Sequence, residues 1–425
     1  MTKAVLGVLG VAAGLVLVSS VARGQGEQGR RPGGRASAAA VKLPAGPGRE
    51  TVQTVCMACH ELNRIVFSGG YDKDGWSQAV DRMVAVGAPL SPAQKTEVTA
   101  YLAAHFPEQP KPEGKVIPGA VKVAFREWAV PTAGSRPHDP LATPDGDLWW
   151  TGQMASKIGR LDPKTGQMKE WTTAVPQSGP HGLVDDKAGN IWFTANFQGY
   201  IGELDPKTGK FKEFKIPDET VKDPHTPKFD QNGILWFTAQ SANVLGRLDP
   251  KTGQIRIVRS PTPRSNPYGM VITSKGTPIF DEFGSNKIGE INPQTMAIKE
   301  YVLPDPGTRP RRIAITSDDM IWYSDYALGY LGQLDLKTGK VRQWPSPGGG
   351  KSQPYAITAL NDVIWYVESN TKPNMLVRFD PRTEKFQTWK IPSGGGVVRN
   401  MMPTRDGGLA LAESGVNKVA LATIR

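Results

Sequence analysis

The feature that most limits how this chain can fold is a repeat of 43 or 44 residues that begins after residue 120. The run IWFTANFQGYIGELDPKTGKFKEFKIP (residues 191–217) aligns with LWFTAQSANVLGRLDPKTGQIRIV (residues 235–258), and four further copies follow the same pattern. A proline stands ahead of each copy, and successive prolines are 43 or 44 residues apart: Pro137, Pro180, Pro224, Pro267, Pro310 and Pro354. Such a period is typical of repeated supersecondary units.

Each copy contains four short strand-like runs separated by turn signals. The W-F-T run reads as a central strand, I-G-x-L-D as a third strand, and K-x-x-E-W as an outer strand. In the D-P-K-T-G segment, Asp-Pro begins a tight turn and Gly supplies a positive φ. The pattern predicts the four-stranded blade of a β-propeller.

The two ends of the repeat region indicate how the propeller closes. A lone outer-strand run, FREWAVP (residues 125–131), precedes the first full copy, whereas a degenerate seventh copy, LALAESGVNKVALATIR, ends at its third strand. We therefore expect the N-terminal strand to complete the last blade and to close seven blades without an open sheet edge.

The chain has two cysteines, Cys56 and Cys59, which stand in TVCMACHELNR with His60 directly behind them. A disulfide would give the histidine no role, and a structural zinc site would need a fourth ligand and a second ligand pair. The third interpretation is covalent c-type haem, with thioethers from both cysteines and His60 as the proximal iron ligand. The C-x-x-C-H spacing favours this interpretation.

The sequence around this motif predicts a frame of short helices. A helix can carry the attachment site, and DGWSQAVDRMVAVG places Met83 on the same helical face as Trp76 and Val80. The third run, SPAQKTEVTAYLAAHF, opens with Ser91 as N-cap and a capping box. These runs predict a small all-α domain that a bound haem would stabilise.

This segment resembles class I cytochrome c, through C-x-x-C-H-x-L, W-x-x-x-V-x-x-M and a terminal Y-L-x-x-x-F helix. The resemblance implies one haem c, with Met83 as the distal iron ligand and His105 as the other candidate in the domain. A His/Met ligand pair favours electron transfer. If Met83 did not bind, the open iron position would accept small ligands.

The first 22 residues have the layout of a secretory signal peptide. Lys3 precedes an apolar run over residues 4–18, and Ser20 and Ala22 satisfy the small-x-small rule for cleavage. The run is shorter than the roughly 20 residues of a membrane span. We expect a periplasmic or otherwise exported protein with no transmembrane span after cleavage; an uncleaved N-terminal anchor is the alternative.

Amino-acid composition distinguishes a leader and a linker from the domains, and the net charge indicates which kind of partner the protein can bind. Residues 23–41 are rich in Gly, Arg and Ala and predict a disordered leader, and residues 109–119 read as a Pro/Gly/Lys linker. The net charge is +11, but the sequence has no concentrated basic stripe. This favours an acidic docking partner or an anionic surface over nucleic acid.

The repeat region, residues 120–425, resembles the virginiamycin B lyase (streptogramin lyase) family through GPHGLVDDKAGNIWFTA and NPYGMVITSKGTPIFDEFGSNKIGEI. The resemblance implies a seven-bladed propeller. It also implies elimination across an ester by a histidine and a glutamate of one blade, with a divalent ion that holds the substrate. The expected fold class is thus multidomain: a small all-α cytochrome c domain at residues 42–108, followed by an all-β seven-bladed β-propeller.

The residues that follow the marker prolines begin the innermost strands, so we expect them to ring the central funnel. They are His138, His181, His225, Tyr268, Arg311, Tyr355 and, in the degenerate copy, Arg399. Fourteen residues later come Gly152, Ala195, Ala239, Glu282, Asp325, Ser369 (with Glu368 beside it) and Glu413, which we expect at the same mouth. No blade has both the histidine and the glutamate, which departs from the family pattern.

Three interpretations of the funnel residues stay open. The polar side chains could hydrogen-bond neighbouring strands at the rim. They could form a catalytic or small-molecule site that uses His138, His181, His225, Arg311 and Glu282. The three histidines could instead hold a divalent or redox metal.

Two functions follow from these features. The first is an exported cytochrome that exchanges electrons with a redox partner protein or a small-molecule donor or acceptor, while the propeller provides a substrate, ligand or docking site. The second is a lyase-like C–O lyase or ligand sensor in which the haem domain is accessory.

Overall fold

The computed structural model describes residues 42–58, 62, 65, 71–85, 87–107, 119–350 and 352–425. The predicted signal peptide (1–22) and leader (23–41) lie outside these residues, as do Cys59, His60 and nearly all of the linker (109–119). The signal peptide, the leader, the linker and the roles of Cys59 and His60 stay predictions.

Three α-helices lie among the described residues that precede the propeller: α1 (Arg49–Val55), α2 (Lys73–Ala85) and α3 (Pro92–His105). A 3₁₀ turn, Cys56–Ala58, follows α1 directly. The capping box of α3 is confirmed: the Gln94 N–H donates to the Ser91 hydroxyl at 3.3 Å, and the Ser91 N–H donates to the Gln94 side chain at 3.0 Å. Within the described ranges, the helices are all too short or too polar to cross a lipid bilayer.

The helical segment has a small apolar core of its own. The buried side chains are Leu43, Val52, Leu62, Ile65, Trp76, Val80, Val98, Tyr101 and Leu102. The Trp76 indole donates to the Phe106 carbonyl at 2.7 Å, and the Tyr101 hydroxyl donates to the Pro44 carbonyl at 2.6 Å. These bonds tie α2 and the N-terminal segment to α3. A core of this size supplies limited stability by itself.

The rest of the described chain forms seven antiparallel four-stranded sheets, so the predicted seven-bladed propeller is confirmed. Strands within a blade run outward from the axis. The first three blades comprise β2 (Pro137–Ala142), β3 (Leu148–Gly152), β4 (Lys157–Leu161) and β5 (Met168–Thr172); β6 (Pro180–Asp185), β7 (Ile191–Ala195), β8 (Tyr200–Leu204) and β9 (Phe211–Lys215); and β10 (Pro224–Phe229), β11 (Leu235–Ala239), β12 (Val244–Leu248) and β13 (Ile255–Arg259).

The next three blades repeat this order. They comprise β14 (Pro267–Ile272), β15 (Pro278–Glu282), β16 (Lys287–Ile291) and β17 (Ile298–Val302); β18 (Pro310–Ile315), β19 (Ile321–Asp325), β20 (Tyr330–Leu334) and β21 (Val341–Pro345); and β22 (Pro354–Leu360), β23 (Val363–Glu368), β24 (Met375–Asp380) and β25 (Lys385–Lys390).

Blade 7 is assembled from both ends of the repeat region. It comprises β26 (Val398–Pro403), β27 (Leu409–Glu413), β28 (Lys418–Ile424) and, as outer strand, β1 (Val123–Ala129). Strand β1 pairs antiparallel with β28 from Val123↔Ile424 to Ala129↔Lys418. The predicted closure of the ring is therefore confirmed.

A hydroxyl of the second strand links neighbouring blades close to the axis. A β-bulge interrupts every inner strand after its first residue, which leaves an N–H without its ladder partner. In blade 1 the Thr151 hydroxyl accepts the Asp139 N–H at 3.0 Å and donates to the His181 carbonyl of blade 2 at 2.8 Å. The same pair of bonds is made in blades 2, 3 and 5 by Thr194, Thr238 and Ser324. The Thr of the W-F-T run thus joins the blades.

The glycine of the repeated I-G-x-L run is required by an aromatic ring of the adjacent strand. A Cβ added to Gly246 would lie 2.1 Å from the Phe237 ring. The same overlap, at 2.0 to 2.1 Å, occurs at Gly159, Gly202, Gly289 and Gly332. Because the ring belongs to a packed core, it has no free space into which to move.

We predict that Gly246→Ala lowers the free energy of unfolding by about 1–3 kcal/mol, because overpacking forces the buried Phe237 ring to shift. Gly350→Ala is the matched control, since its Cβ would meet no described atom closer than 3.6 Å. Urea unfolding of both variants measures the difference. Equal stability of Gly246→Ala and the parent would contradict this explanation of the repeat.

Candidate functional site

The second residues of the seven inner strands meet at the propeller axis, as the sequence predicts. This axial ring comprises His138, His181, His225, Tyr268, Arg311, Tyr355 and Arg399. The ring centroids of His138 and His181 are 3.6 Å apart, those of His181 and His225 are 3.8 Å apart, and those of His225 and Tyr268 are 3.9 Å apart. Every member except the half-buried Arg399 is buried. Four aromatic side chains therefore form a continuous arc of tilted rings around half of the axis.

The other half of the ring is built around a buried guanidinium. The Cζ atom of Arg311 lies 3.8 Å from the centroid of Tyr355, 4.2 Å from that of Tyr326 and 4.8 Å from that of Phe283. The hydroxyl groups of Tyr268 and Tyr355 hydrogen-bond to each other across the axis. Arg311 thus sits in a cage of aromatic rings, which attract the cation through their π faces.

The next residue of three inner strands forms a second layer, the axial collar, comprising Asp139, Arg312 and Asn400. One Asp139 oxygen accepts from Arg312 at 2.8 Å, and the other accepts from Asn400 at 2.9 Å. The Arg312 Nε–H also donates to the Arg399 carbonyl at 2.9 Å. Sequence reasoning missed this layer, because strand alternation predicts that the side chain after each ring residue points away. The β-bulge changes that direction.

The structure does not join Glu282 to the ring by a hydrogen bond. Its carboxylate accepts from the Ser260 hydroxyl at 3.2 Å and from the Ser285 hydroxyl at 2.7 Å. Asp325 likewise accepts the Arg309 N–H at 3.1 Å. Glu413 accepts from Ser393, so these acids bind the loops between blades.

In blade 6 the residue at the glutamate position is Glu368, not Ser369. Glu368 pairs with Pro354 at the start of the inner strand, as Glu282 pairs with Pro267 in blade 4. The spacing is one residue shorter because Asn361 and Asp362, with φ of 52° and 59°, form a two-residue turn. The fixed spacing of fourteen residues therefore predicted Ser369 at a position that Glu368 occupies in this blade.

Burial keeps the three ring histidines in their neutral form. It lowers the pKa of His138, His181 and His225 well below the ordinary value, and the positive charges of nearby arginines add to this effect. The carboxyl group of Asp281 behaves in the opposite way, since burial raises its pKa well above the usual range. The three ring histidines therefore add no positive charge at the axis near neutral pH.

His138, Asp139 and His181 offer ligand atoms that lie within 4.8 Å of one another, so they could hold a metal ion. Neutral imidazole is the form that binds metals, and His181 Nδ1 has no hydrogen-bond partner among the described residues. Asp139 is already bound to Arg312 and Asn400, and the arginine charges oppose a cation. The additional divalent metal stays a prediction.

The structure describes two of the four residues that are predicted to bind the haem. Cys56 opens the 3₁₀ turn after α1, where it packs against the apolar core of the helices. Met83 lies on α2, half-buried, one turn beyond the buried Val80. Cys59 and His60 lie outside the described residues. His105, the other distal candidate, ends α3 with its ring 4.5 Å from that of Tyr101.

Beside the collar, the channel widens into a cavity of about 260 Å³. Its polar lining includes Asp139, Arg312, Asn400 and Lys228, and the rest is mostly aliphatic side chains and methionines of the inner strands. The volume is enough for several water molecules or a small organic molecule.

Comparison with known proteins identifies the propeller's relatives. The model of the virginiamycin B lyase family matches residues 112–359, more than half of the chain. The chain belongs to the virginiamycin B lyase family. No curated protein matches it at a significant level.

Solved structures agree with this membership. A streptogramin B lyase is 25% identical, with a TM-score of 0.65, covering 71% of this chain and 98% of its own. A catalytically inactive variant of Staphylococcus aureus virginiamycin B lyase with quinupristin is 22% identical, with the same TM-score, covering 71% and 99%. The extracellular domain of a one-component system from B. thetaiotaomicron is 14% identical, with a TM-score of 0.54, covering 67% and 40%.

Within the virginiamycin B lyase family, this chain has an altered arrangement of histidine and glutamate positions. Its three ring histidines lie in blades whose glutamate position is Gly152, Ala195 or Ala239. Blade 4, which carries Glu282, has Tyr268 in the ring. The structure therefore places no histidine and glutamate of this pattern in one described blade.

Tyr355 provides a direct test of the charge at the axis. Burial opposes its ionisation, but the positive charges of Arg311, Arg399 and Arg312 lower its pKa to about 7. A tyrosine in the unfolded chain titrates near pH 10. This contribution to folding stability should therefore be present above pH 10 and be lost as the pH falls through about 7.

We predict that ultraviolet titration of the folded protein shows one tyrosinate forming near pH 7 and that Tyr355→Phe removes this step. Tyr330→Phe, in the third strand of blade 5, is the control and should leave the step in place. A parent protein with no tyrosinate until strongly alkaline pH would contradict the arginine-dominated axis.

Proposed function

We propose that this chain is an exported c-type cytochrome that transfers electrons through one covalent haem, and that its propeller supplies a ligand or partner-docking site at the axis. The observation that carries the proposal is the C-x-x-C-H motif, which contains both cysteines of the chain. Two thioether-forming cysteines followed by an imidazole are the donor set of haem c.

The described helical segment fits such a group. Cys56 packs against an apolar cluster that includes Val52, Trp76 and Val80, so a haem attached there would adjoin an apolar environment. Cys56 and Cys59 would hold the porphyrin and His60 would bind the iron. The haem, when bound, supplies one-electron redox chemistry. An apolar surrounding and the axial ligands set its potential.

Met83 is the proposed distal ligand. It lies one helical turn from Val80, and its side chain is half-buried rather than part of the buried core. A thioether ligand raises the reduction potential of haem relative to a nitrogen ligand. Met83 would therefore tune the haem for electron transfer.

Export supports the same function, because c-type haem is attached outside the cytoplasm. The signal-like residues 1–22 and the similarity to an extracellular sensor domain both favour a periplasmic location. The electron donor or acceptor would be a redox protein or a small molecule, and the basic net charge suits an acidic protein partner.

A C–O lyase is the second candidate, because family membership favours it. Burial and the nearby Glu300 charge raise the pKa of Glu282 to about 7, which suits a general base. The ring position of the same blade is Tyr268, however, and the Glu282 carboxylate is bound by two serines. A divalent ion that holds the substrate would be needed as well.

We predict that protein matured in a host that attaches c-type haem keeps its haem after denaturation. Replacing both Cys56 and Cys59 by Ala should abolish this covalent haem, since both thioether sulfurs are removed. Met57→Ala is the matched control, because Met57 is half exposed in the same turn. Pyridine haemochrome spectra of denatured samples measure the attachment, and a haem-free parent from that host would overturn the proposal.

A second variant tests the distal ligand. Met83→Leu should retain covalent haem but lower its midpoint potential and remove the sulfur-to-iron charge-transfer band, because leucine cannot bind the iron. An unchanged potential and spectrum would exclude Met83 as the ligand.

The lyase candidate is tested with quinupristin and mass spectrometry. We expect no ring-opened product from the parent protein with added divalent metal, because no described blade combines the histidine and glutamate. Ring opening that is lost in Glu282→Gln and in His181→Ala, with the haem spectrum unchanged, would instead establish a lyase with an accessory haem.

A further inference from the structure

The axis of the propeller contains more arginine than acid. The guanidinium groups of Arg311, Arg312, Arg399 and Arg136 all act on the buried His138. The carboxylate of Asp139 forms an ion pair with Arg312. The carboxyl group of Asp281 accepts the Gly269 N–H at 2.9 Å, and burial raises its pKa. The axis therefore has an excess of positive charge.

Arg311 is a buried cation whose close described neighbours are aromatic rings. Its side chain is buried, with 6% of its surface exposed, and it makes no ion pair with a described carboxylate. Its Nε atom has no hydrogen-bond partner in the described chain, and the same is true of Arg399 Nε. A buried N–H donor without a hydrogen-bond acceptor carries a desolvation cost. An anion at this position would remove that cost.

The surroundings of Arg311 indicate the chemical class of the anion. Phe283 and Tyr326 follow the second strands of blades 4 and 5 directly, at the same end as the ring, and both are half-buried. Their ring centroids lie 5.8 Å apart, and each flanks the Arg311 guanidinium. An aromatic wall suits a planar apolar body, and a guanidinium fork suits a carboxylate.

We propose that the mouth of the propeller axis binds a planar carboxylate, held by the guanidinium groups of Arg311 and Arg399 beside the rings of Phe283 and Tyr326. This deepens the proposed ligand-binding role of the propeller and rests on it. Binding of the carboxylate does not need the haem. An experiment can therefore refute carboxylate binding without refuting electron transfer through the haem, and the reverse.

A cation does not suit this part of the axis. The acids of the glutamate positions already bind serine hydroxyls or backbone N–H groups between blades. The arginine charges would repel a metal ion near Arg311. The strong lowering of the Tyr355 pKa by the same arginines agrees with a site that stabilises negative charge.

The test uses benzoate as the probe and benzamide as its neutral isostere, with calorimetry on the full-length haem-loaded protein. We expect saturable binding of benzoate and not of benzamide. Arg311→Gln should weaken benzoate binding by about 30-fold or more, because the lost contact is a buried charge pair. Arg399→Gln, at a half-buried position, should weaken binding by a smaller factor. Arg256→Gln, on the exposed outer strand of blade 3, is the control and should change nothing.

Thermal melting separates ligand binding from a structural role. Without benzoate, Arg311→Gln should melt below the parent, because it removes the cation–π contacts with Tyr355, Tyr326 and Phe283. The informative quantity is therefore the shift in melting temperature that benzoate causes in each protein. Benzoate should raise the melting temperature of the parent and not that of Arg311→Gln.

Four results would overturn the proposal: no saturable binding of benzoate, equal binding of benzamide, binding of inorganic phosphate alone, or full benzoate affinity in both Arg311→Gln and Arg399→Gln. The visible spectrum of each sample reports haem content independently. Loss of the carboxylate site with haem present would therefore refute this inference alone.

Discussion

The pairing of β1 with β28 is the interaction on which the rest of the propeller depends. It joins residues 123–129 to residues 418–424 and makes the last blade from both ends of the repeat. Closure brings blades 1 and 7 together, and the Arg312–Asp139 ion pair and the Asn400–Asp139 hydrogen bond then span different blades. The Thr151 hydroxyl and its equivalents add blade-to-blade bonds at the inner strands. The axial ring exists because these links hold seven inner strands around one axis.

Most of the fold could be predicted from the sequence, because each repeat contains the strand and turn signals of one blade. The prolines marked the inner strands, and the unequal ends of the repeat predicted the closing strand. The ring residues were found by position alone.

The collar was missed because its direction depends on a β-bulge, and Glu368 was missed as the glutamate-position residue because a two-residue turn shortens one hairpin. The hydrogen bonds of Glu282 to Ser260 and Ser285 depend on loop packing, which no repeat position encodes. Cys59 and His60, which are predicted to bind the haem, lie outside the described residues. The haem site is therefore inferred from the sequence motif.

Charge distinguishes this axis from the arrangement that the family resemblance implies. A lyase of that pattern needs a histidine and a glutamate together and a divalent ion beside them. In this chain the histidine rings contact one another, Tyr268 takes the ring position of the Glu282 blade, and arginines supply the charge. An axis rich in arginine suits an anionic ligand. A cytochrome with such a propeller could combine one-electron chemistry at the helical segment with recognition of a carboxylate at the axis.

The guanidinium groups of Arg311 and Arg399 are proposed to bind a carboxylate at the axis. A crystal structure with 4-bromobenzoate tests it most directly, because bromine gives an anomalous signal that locates the probe. The account predicts a bromine peak beside Phe283 and Tyr326, with the carboxylate within hydrogen-bonding distance of the Arg311 guanidinium. An axis without the probe, or a metal ion bound by His138 and His181 in its place, would contradict the account.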